Sequence, residues 1–297
     1  MLRNQVFTDF NLELDRSLFN DALLKIYDLV INFINLESQY NLEFWKSIWL
    51  KVVTNNQSML LILINPKYEY LEELNKLANL LNVNSFYYQF RENNRKPEKQ
   101  ENIFLLKGNN TIYELIDDYK FHLSPYTFCQ SNNDFANLMY NQISNILKQD
   151  SNYSELFIYG RTSSPISILT HRYFNKITCS IPCQITHQNM LKDLQENKIT
   201  NIKTIYQRKE DFELEDRKYI LFLSPGYQGL SQNILDKVKM LTKVEKIYLL
   251  YCNPKKIYMD LKYLGLNKIN NIYKIGSLIQ IYEILLNKKN SLFYSSS

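Results

Sequence analysis

Residues 156–207 read LFIYGRTSSPISILTHRYFNKITCSIPCQITHQNMLKDLQENKITNIKTIYQ, and their rhythm decides the fold. Three strand-length apolar runs, LFIYG (156–160), KITCSI (176–181) and IKTIYQ (202–207), alternate with segments long enough for helices. Runs that are apolar on both faces belong inside a sheet covered by helices on each side, which implies parallel strands. The pattern continues through YILFLS (219–224) and KIYLLY (246–251) and closes on NIYKIGSLIQIYEILL (271–286), a terminal strand pair. Five βα-type steps and a closing pair make residues 123–297 an α/β, doubly wound, Rossmann-like domain.

Residues 1–122 follow a different pattern. From Ser17 to Leu36, Phe19, Leu23, Ile26, Tyr27, Val30, Phe33 and Ile34 recur at helical spacing. KSIWLKVVT and SMLLILI flank Asn55-Asn56-Gln57, a hairpin signal, and Tyr68 to Leu81 reads as a helix before a strand around Val83 to Phe90. This is a smaller α+β domain. RENNRKPEKQEN (91–102) is polar and reads as a solvated loop between strands. Trp45 and Trp49 read as core or hairpin packing.

With 297 residues and 45% hydrophobic content the chain can build full cores. Its apolar runs, such as Met59–Ile64, fall far short of the roughly 20 residues that span a bilayer, so no membrane association is expected. The first residues lack an apolar signal core, which favours cytoplasm or an organelle matrix. Cysteines at 129, 179, 183 and 252 show no paired spacing, and His122, His171 and His187 add none, so free thiols and no metal are expected. A net charge of +5 permits a polyanionic partner without demanding one. Only 6 glycines occur, where roughly 7% is average, so few places allow a close backbone approach to a ligand.

Two ordered motifs carry chemistry. FHLSPYTFCQSNNDFANLMYNQI (121–143) contains an F-x-Q-x-N core, and YLLYCNPKKIYMDL (248–261) resembles S-C-N-P-x-T-x-x-R-D-L. Together they resemble the RNA (uracil-5-)-methyltransferases, with weaker similarity along most of the chain, from Arg3-Asn4-Gln5 to QNMLKDLQENKITNI (188–202). The resemblance implies a class I methyltransferase domain, S-adenosylmethionine as cofactor and tRNA or rRNA as partner. It implies Cys252 as the nucleophile that adds to uracil C6, Gln130 as the residue that holds the uracil, and Glu283 as the base that removes the C5 proton. Because the chain starts near the family's central-domain opening, no oligonucleotide-binding barrel and no iron-sulfur cluster are expected. Read without the resemblance, Cys252 is a small core thiol, Gln130 a helix-entry hydrogen bonder beside the N-cap Asn132, and Glu283 an edge-strand surface charge.

The cofactor motifs depart from the family. In FIYGRTSSPISI, Phe157 replaces an acid, Arg161 and Ser163 occupy glycine positions, and Pro165 falls where the loop feeds its helix. Ile181 stands where a Glu takes the ribose hydroxyls, and LSPGYQGL (223–230) lacks the Asp of D-P-P-R-x-G-L. Tyr159, Gly160 and Glu210 remain as cofactor contacts. The resulting expectation is an RNA-binding protein of this fold with a decayed cofactor site, acting in RNA or ribonucleoprotein assembly. An active uracil-C5 methyltransferase using Cys252 and a purely structural subunit of a complex are the alternatives.

Overall fold

The computed structural model describes residues 2–10, 13–37, 43–68, 71–91, 103–266, 269–276 and 279–285. Most of the polar loop 91–102 lies outside them. The chain forms two compact units, Met1–Asn137 and Leu138–Ser297.

The N-terminal unit holds β1 (Gln5–Asp9), α1 (Asp21–Glu37), β2 (Trp45–Val52), β3 (Ser58–Ile64), α2 (Leu71–Leu80), β4 (Ser85–Phe90), β5 (Ile103–Gly108), β6 (Ile112–Ile116) and β7 (Tyr119–Leu123). Strands β1 to β5 pair in sequence order, antiparallel except for β3 with β4, and β6 pairs with β7 alone. β3, apolar from Met59 onward, is central, and every one of its residues is buried. Leu23, Tyr27, Val30 and Ile34 of α1 pack on one face of this sheet, as their spacing predicts. The helix begins four residues later than Ser17 because Asp15 and then Asn20 intervene: the Asn20 side chain accepts from Leu23 N at 2.8 Å. Asn56, at φ 63, turns the β2–β3 hairpin.

Helix α3 (Asn133–Lys148) leads into the C-terminal unit. There follow β8 (Glu155–Gly160), α4 (Ser163–Thr170), β9 (Lys176–Ile181), α5 (Gln184–Glu196), β10 (Ile202–Tyr206), β11 (Ile220–Ser224), α6 (Gln232–Lys239), β12 (Lys246–Tyr251), α7 (Pro254–Leu264), β13 (Asn271–Ile275) and β14 (Ile279–Leu285). The sheet order is β10-β9-β8-β11-β12-β14-β13, with β8 to β12 parallel and β14 antiparallel to both neighbours. Chain direction across the sheet reverses between β8 and β11, the switch point where ligands enter doubly wound sheets. Among the described residues no helix is long and apolar enough to cross a membrane.

Candidate functional site

Gly160 ends β8 at φ +132, where a Cβ would meet the Ser224 carbonyl oxygen of β11 at 2.0 Å. A side chain is thus excluded both by the backbone conformation and by the neighbouring strand. The turn that follows is closed by hydrogen bonds. Ser163 Oγ donates to the Gly160 carbonyl at 2.7 Å, and Thr162 Oγ1 donates to Ser224 Oγ at 2.6 Å. Only Arg161 and Thr162 therefore separate Gly160 from helix α4, with no glycine-rich loop between them.

A cleft opens at these strand ends, at the switch point. It has a volume of about 280 Å³ including its mouth, and Tyr159, Gly160, Arg161, Pro182, Lys209 and Ser231 are among the residues that line it. Much of that volume is open mouth, so the cleft as it stands is smaller than a typical small-molecule site. Two of its hydroxyls, Tyr159 Oη and Ser231 Oγ, are buried without a hydrogen-bond partner. Ser231 sits at the N-cap of α6 but makes no side-chain cap bond. Burial, together with the charge of Glu210, pushes the Tyr159 hydroxyl up to about 12, with Arg161 opposing. Leaving such groups unpaired costs about 1 to 3 kcal/mol each, so their positions favour a polar ligand. Arg161 and Lys209 suit a carboxylate, and the hydroxyls suit the polar atoms of an adenosyl group. Ile181 is fully buried, so the end of β9 offers ribose no acceptor side chain. Glu210 is exposed in the β10–β11 connection and does not line the cleft; its backbone carbonyl accepts from Asn233 at 3.2 Å.

Cys252 follows the last residue of β12 and is exposed. Asn253 caps α7, accepting from Lys255 N at 3.2 Å, and Pro254 fixes the first helical position. The pairing of Leu223 with Leu249 sets Ser224 level with Leu250. Cys252 is thus two residues further along the adjacent strand, about 8 Å from Ser224 by strand spacing and rise. Tyr251, in place of the motif's Ser, points into the core, and its hydroxyl bonds Asp260. The same Asp260 oxygen accepts from Leu230 N at 2.9 Å.

Glu283 requires a correction. It lies on β14, between β12 and β13, rather than on an edge, and is only 3% exposed. Lys246 reaches it at 3.0 Å, Asn270 and Asn271 each at 2.9 Å, and Tyr273 at 2.7 Å. Lys246 is also paired with Asp150 at 2.7 Å. In register Glu283 opposes Tyr248, four residues before Cys252 and so about 13 Å down the strand. It closes a buried ionic network and does not stand beside the thiol.

This network predicts a pH dependence. Burial alone would raise Glu283, but hydrogen bonds from Tyr273, Asn271, Lys246 and Asn270 outweigh it and bring its pKa down to about 2. A depressed carboxylate stabilises the fold above its unfolded pKa of about 4.3, and that contribution is lost as pH falls through the folded value. Glu283→Gln is therefore expected to lower stability at neutral pH by about 2 to 3 kcal/mol, a gap that closes between about pH 5 and pH 2. Urea titrations at stepped pH would measure it, and a pH-independent gap would refute this assignment.

Gln130 belongs to the N-terminal unit, between β7 and α3, and is half-buried. It follows Cys129, whose thiol contacts Lys51 and donates to Gln5 Oε1 at 3.3 Å. Asn132 caps α3, accepting from Phe135 N at 2.6 Å. The structure thus places Tyr159, Gly160 and Cys252 at the same end of the sheet, Cys252 two strands away beyond β11, while Glu283 lies apart from them. Arg161, which the sequence places at a glycine position of the cofactor loop, lines the cleft, whereas Ser231 and Lys209 carry no sequence signal for that use. A serine before a helix reads as a cap, and it was the lack of a capping bond that exposed its other use.

A switch-point cleft of this kind, on a seven-stranded sheet with an antiparallel β14, defines a class I methyltransferase fold. No family model matches the chain. It is 25% identical over 227 residues to an uncharacterized RNA methyltransferase of Fusobacterium nucleatum, covering 73% of this chain and 48% of that protein. It is 22% identical over 251 residues to human tRNA (uracil-5-)-methyltransferase homolog A, covering 77% and 40%. The chain thus spans less than half the length of these relatives. Its fold matches Pyrococcus abyssi tRNA (uracil-54, C5)-methyltransferase, solved in complex with S-adenosyl-L-homocysteine, at a TM-score of 0.70 and 14% identity, over 95% of this chain and 76% of that one. The chain is thus similar in sequence, at a distance, to RNA methyltransferases that include a tRNA (uracil-5-)-methyltransferase, and it has the fold of one.

Proposed function

We propose that the protein is an S-adenosylmethionine-dependent RNA (uracil-C5) methyltransferase acting on tRNA or rRNA. The observation that carries this reading is the pair of unpaired hydroxyls, Tyr159 Oη and Ser231 Oγ, in the switch-point cleft between β8 and β11, at the same end of the sheet as the exposed Cys252 after β12. Cys252 adds through its sulfur to uracil C6, which makes C5 nucleophilic. The cofactor, when bound, supplies the methyl group. Tyr159 and Ser231 hold its polar atoms, and Arg161 or Lys209 holds its carboxylate. Gln130 supplies hydrogen bonds to the uracil. Once C5 is methylated, its proton must leave to a base as the C6–S bond breaks, which restores the C5–C6 double bond and releases the Cys252 thiolate; the placement of Glu283 argues that this base is another group.

The test is calorimetry with S-adenosylmethionine, followed by transfer of labelled methyl to tRNA and rRNA transcripts. Saturable binding with label at uracil C5 is the expected result, and absence of cofactor binding would overturn the proposal. A paired prediction concerns Tyr159→Phe. Removing an unsatisfied buried hydroxyl should leave the ligand-free protein as stable or about 1 kcal/mol more so. Cofactor affinity should nonetheless fall about five- to tenfold.

A second reading is an RNA-binding protein without methyl transfer, working in RNA or ribonucleoprotein assembly. It is favoured by the buried Ile181 and by the distance of Glu283 from Cys252. RNA binding combined with no cofactor binding is its signature.

A further inference from the structure

Helix α7 buries Ile257, Asp260, Leu261 and Leu264 and turns a different set of side chains to water. Lys255, Tyr258, Met259 and Lys262 follow one another at i, i+3, i+4 and i+7, so they form a single stripe. All four are exposed, Tyr258 at 71% and Met259 at 59%. The stripe starts at the strand end that carries Cys252. The cap residue Asn253 donates through Nδ2 to the Tyr227 carbonyl at 3.4 Å, which sets a further aromatic, 67% exposed, beside the start of the helix. The acid of α7, Asp260, is turned inward to Leu230 and Tyr251. What remains outside is aromatic rings, a thioether and cations, with no carboxylate among them.

Large apolar side chains gathered on a surface mark an interaction site. Aromatic faces beside cations, without acids, match single-stranded nucleic acid: the rings stack on bases and the ammonium groups neutralise phosphates. From Lys255 to Lys262 the helix rises about 10 Å, about three stacked nucleotides at ~3.4 Å. We propose that this stripe, with Tyr227, docks the single-stranded RNA flanking the nucleotide presented to Cys252. The proposal deepens the functional reading above, and rests on it only in that Cys252 faces RNA.

The test is fluorescence anisotropy of the full chain with labelled single-stranded and duplex RNA, without methyl donor, at about 50 to 200 mM salt. Tyr258→Ala and Tyr227→Ala should each weaken single-strand binding about 5- to 150-fold, while Tyr258→Phe keeps it. Replacing Lys255 and Lys262 together by Gln should reduce the salt slope by about 1.4. Unchanged affinity in the alanine variants, or no single-strand binding by the wild type, would overturn the proposal. So would a change of oligomeric state in Tyr258→Ala at unchanged RNA affinity, which would assign the stripe to contact between copies. Stripe-dependent binding without methyl transfer would retain the surface and remove the chemistry. Methyl transfer with stripe-independent binding would do the reverse.

Discussion

Cys252→Ser is expected to abolish methyl transfer, by at least about a thousandfold, because a serine hydroxyl at neutral pH cannot replace a thiol as the attacking group. The side chain is exposed at a strand end, so the substitution removes no core contact, and folding should be unchanged by circular dichroism. RNA binding should also survive, since no part of the docking stripe is altered. The direct readout uses RNA in which 5-fluorouracil replaces uracil. Fluorine cannot leave C5 as a proton would, so the covalent adduct accumulates and survives denaturing electrophoresis. The wild type is expected to show this adduct and Cys252→Ser none. A variant that still methylates at the wild-type rate removes Cys252 from the chemistry.

Gly160→Ala is expected to be the most damaging single methyl group in the C-terminal unit. At φ +132 the new residue would be strained in any surroundings, and its Cβ would lie 2.0 Å from the Ser224 carbonyl oxygen, which belongs to a paired central strand and cannot rotate aside. Relief requires separating the ends of β8 and β11, the two strands that frame the cleft. A loss of about 3 to 5 kcal/mol is anticipated, measured by urea denaturation. Gly265→Ala is the control. It too has positive φ, at +68, but has open space around it, so it should cost only about 1 kcal/mol. Equal losses at the two positions would show that conformation, and not the packing of β8 on β11, governs Gly160.

Much of the C-terminal architecture was legible because its central strands are apolar on both faces and short, which is what a covered parallel sheet demands. The end of α3's cap, Asn132, and the hairpin at Asn55-Asn56-Gln57 were legible for a local reason: the side chain or turn that makes the feature is within a few residues of it. The surroundings of Glu283 were not legible. They depend on β14 inserting between β12 and β13, so that Lys246 on one side and Asn270, Asn271 and Tyr273 on the other converge on it from two separate stretches of chain. The start of α1 was misplaced for a smaller reason, two successive polar caps ahead of a continuous apolar spacing. At the site, sequence comparison with the family pattern registers losses well but cannot see Ser231 or Lys209, whose use follows only from where the cleft opens.

The contact between Tyr251 and Asp260 bears on how this chain could have diverged. The family pattern has a serine where Tyr251 stands, and a serine is too short to fill the buried space that the ring occupies. Restoring it would leave a void and strip one donor from a carboxylate that also holds the backbone of Leu230. Serine at 251 alone is thus an uphill step, although it matches the family motif. Position 251 is held by its neighbours: a serine there would be accommodated only if the residues packed around the ring changed with it.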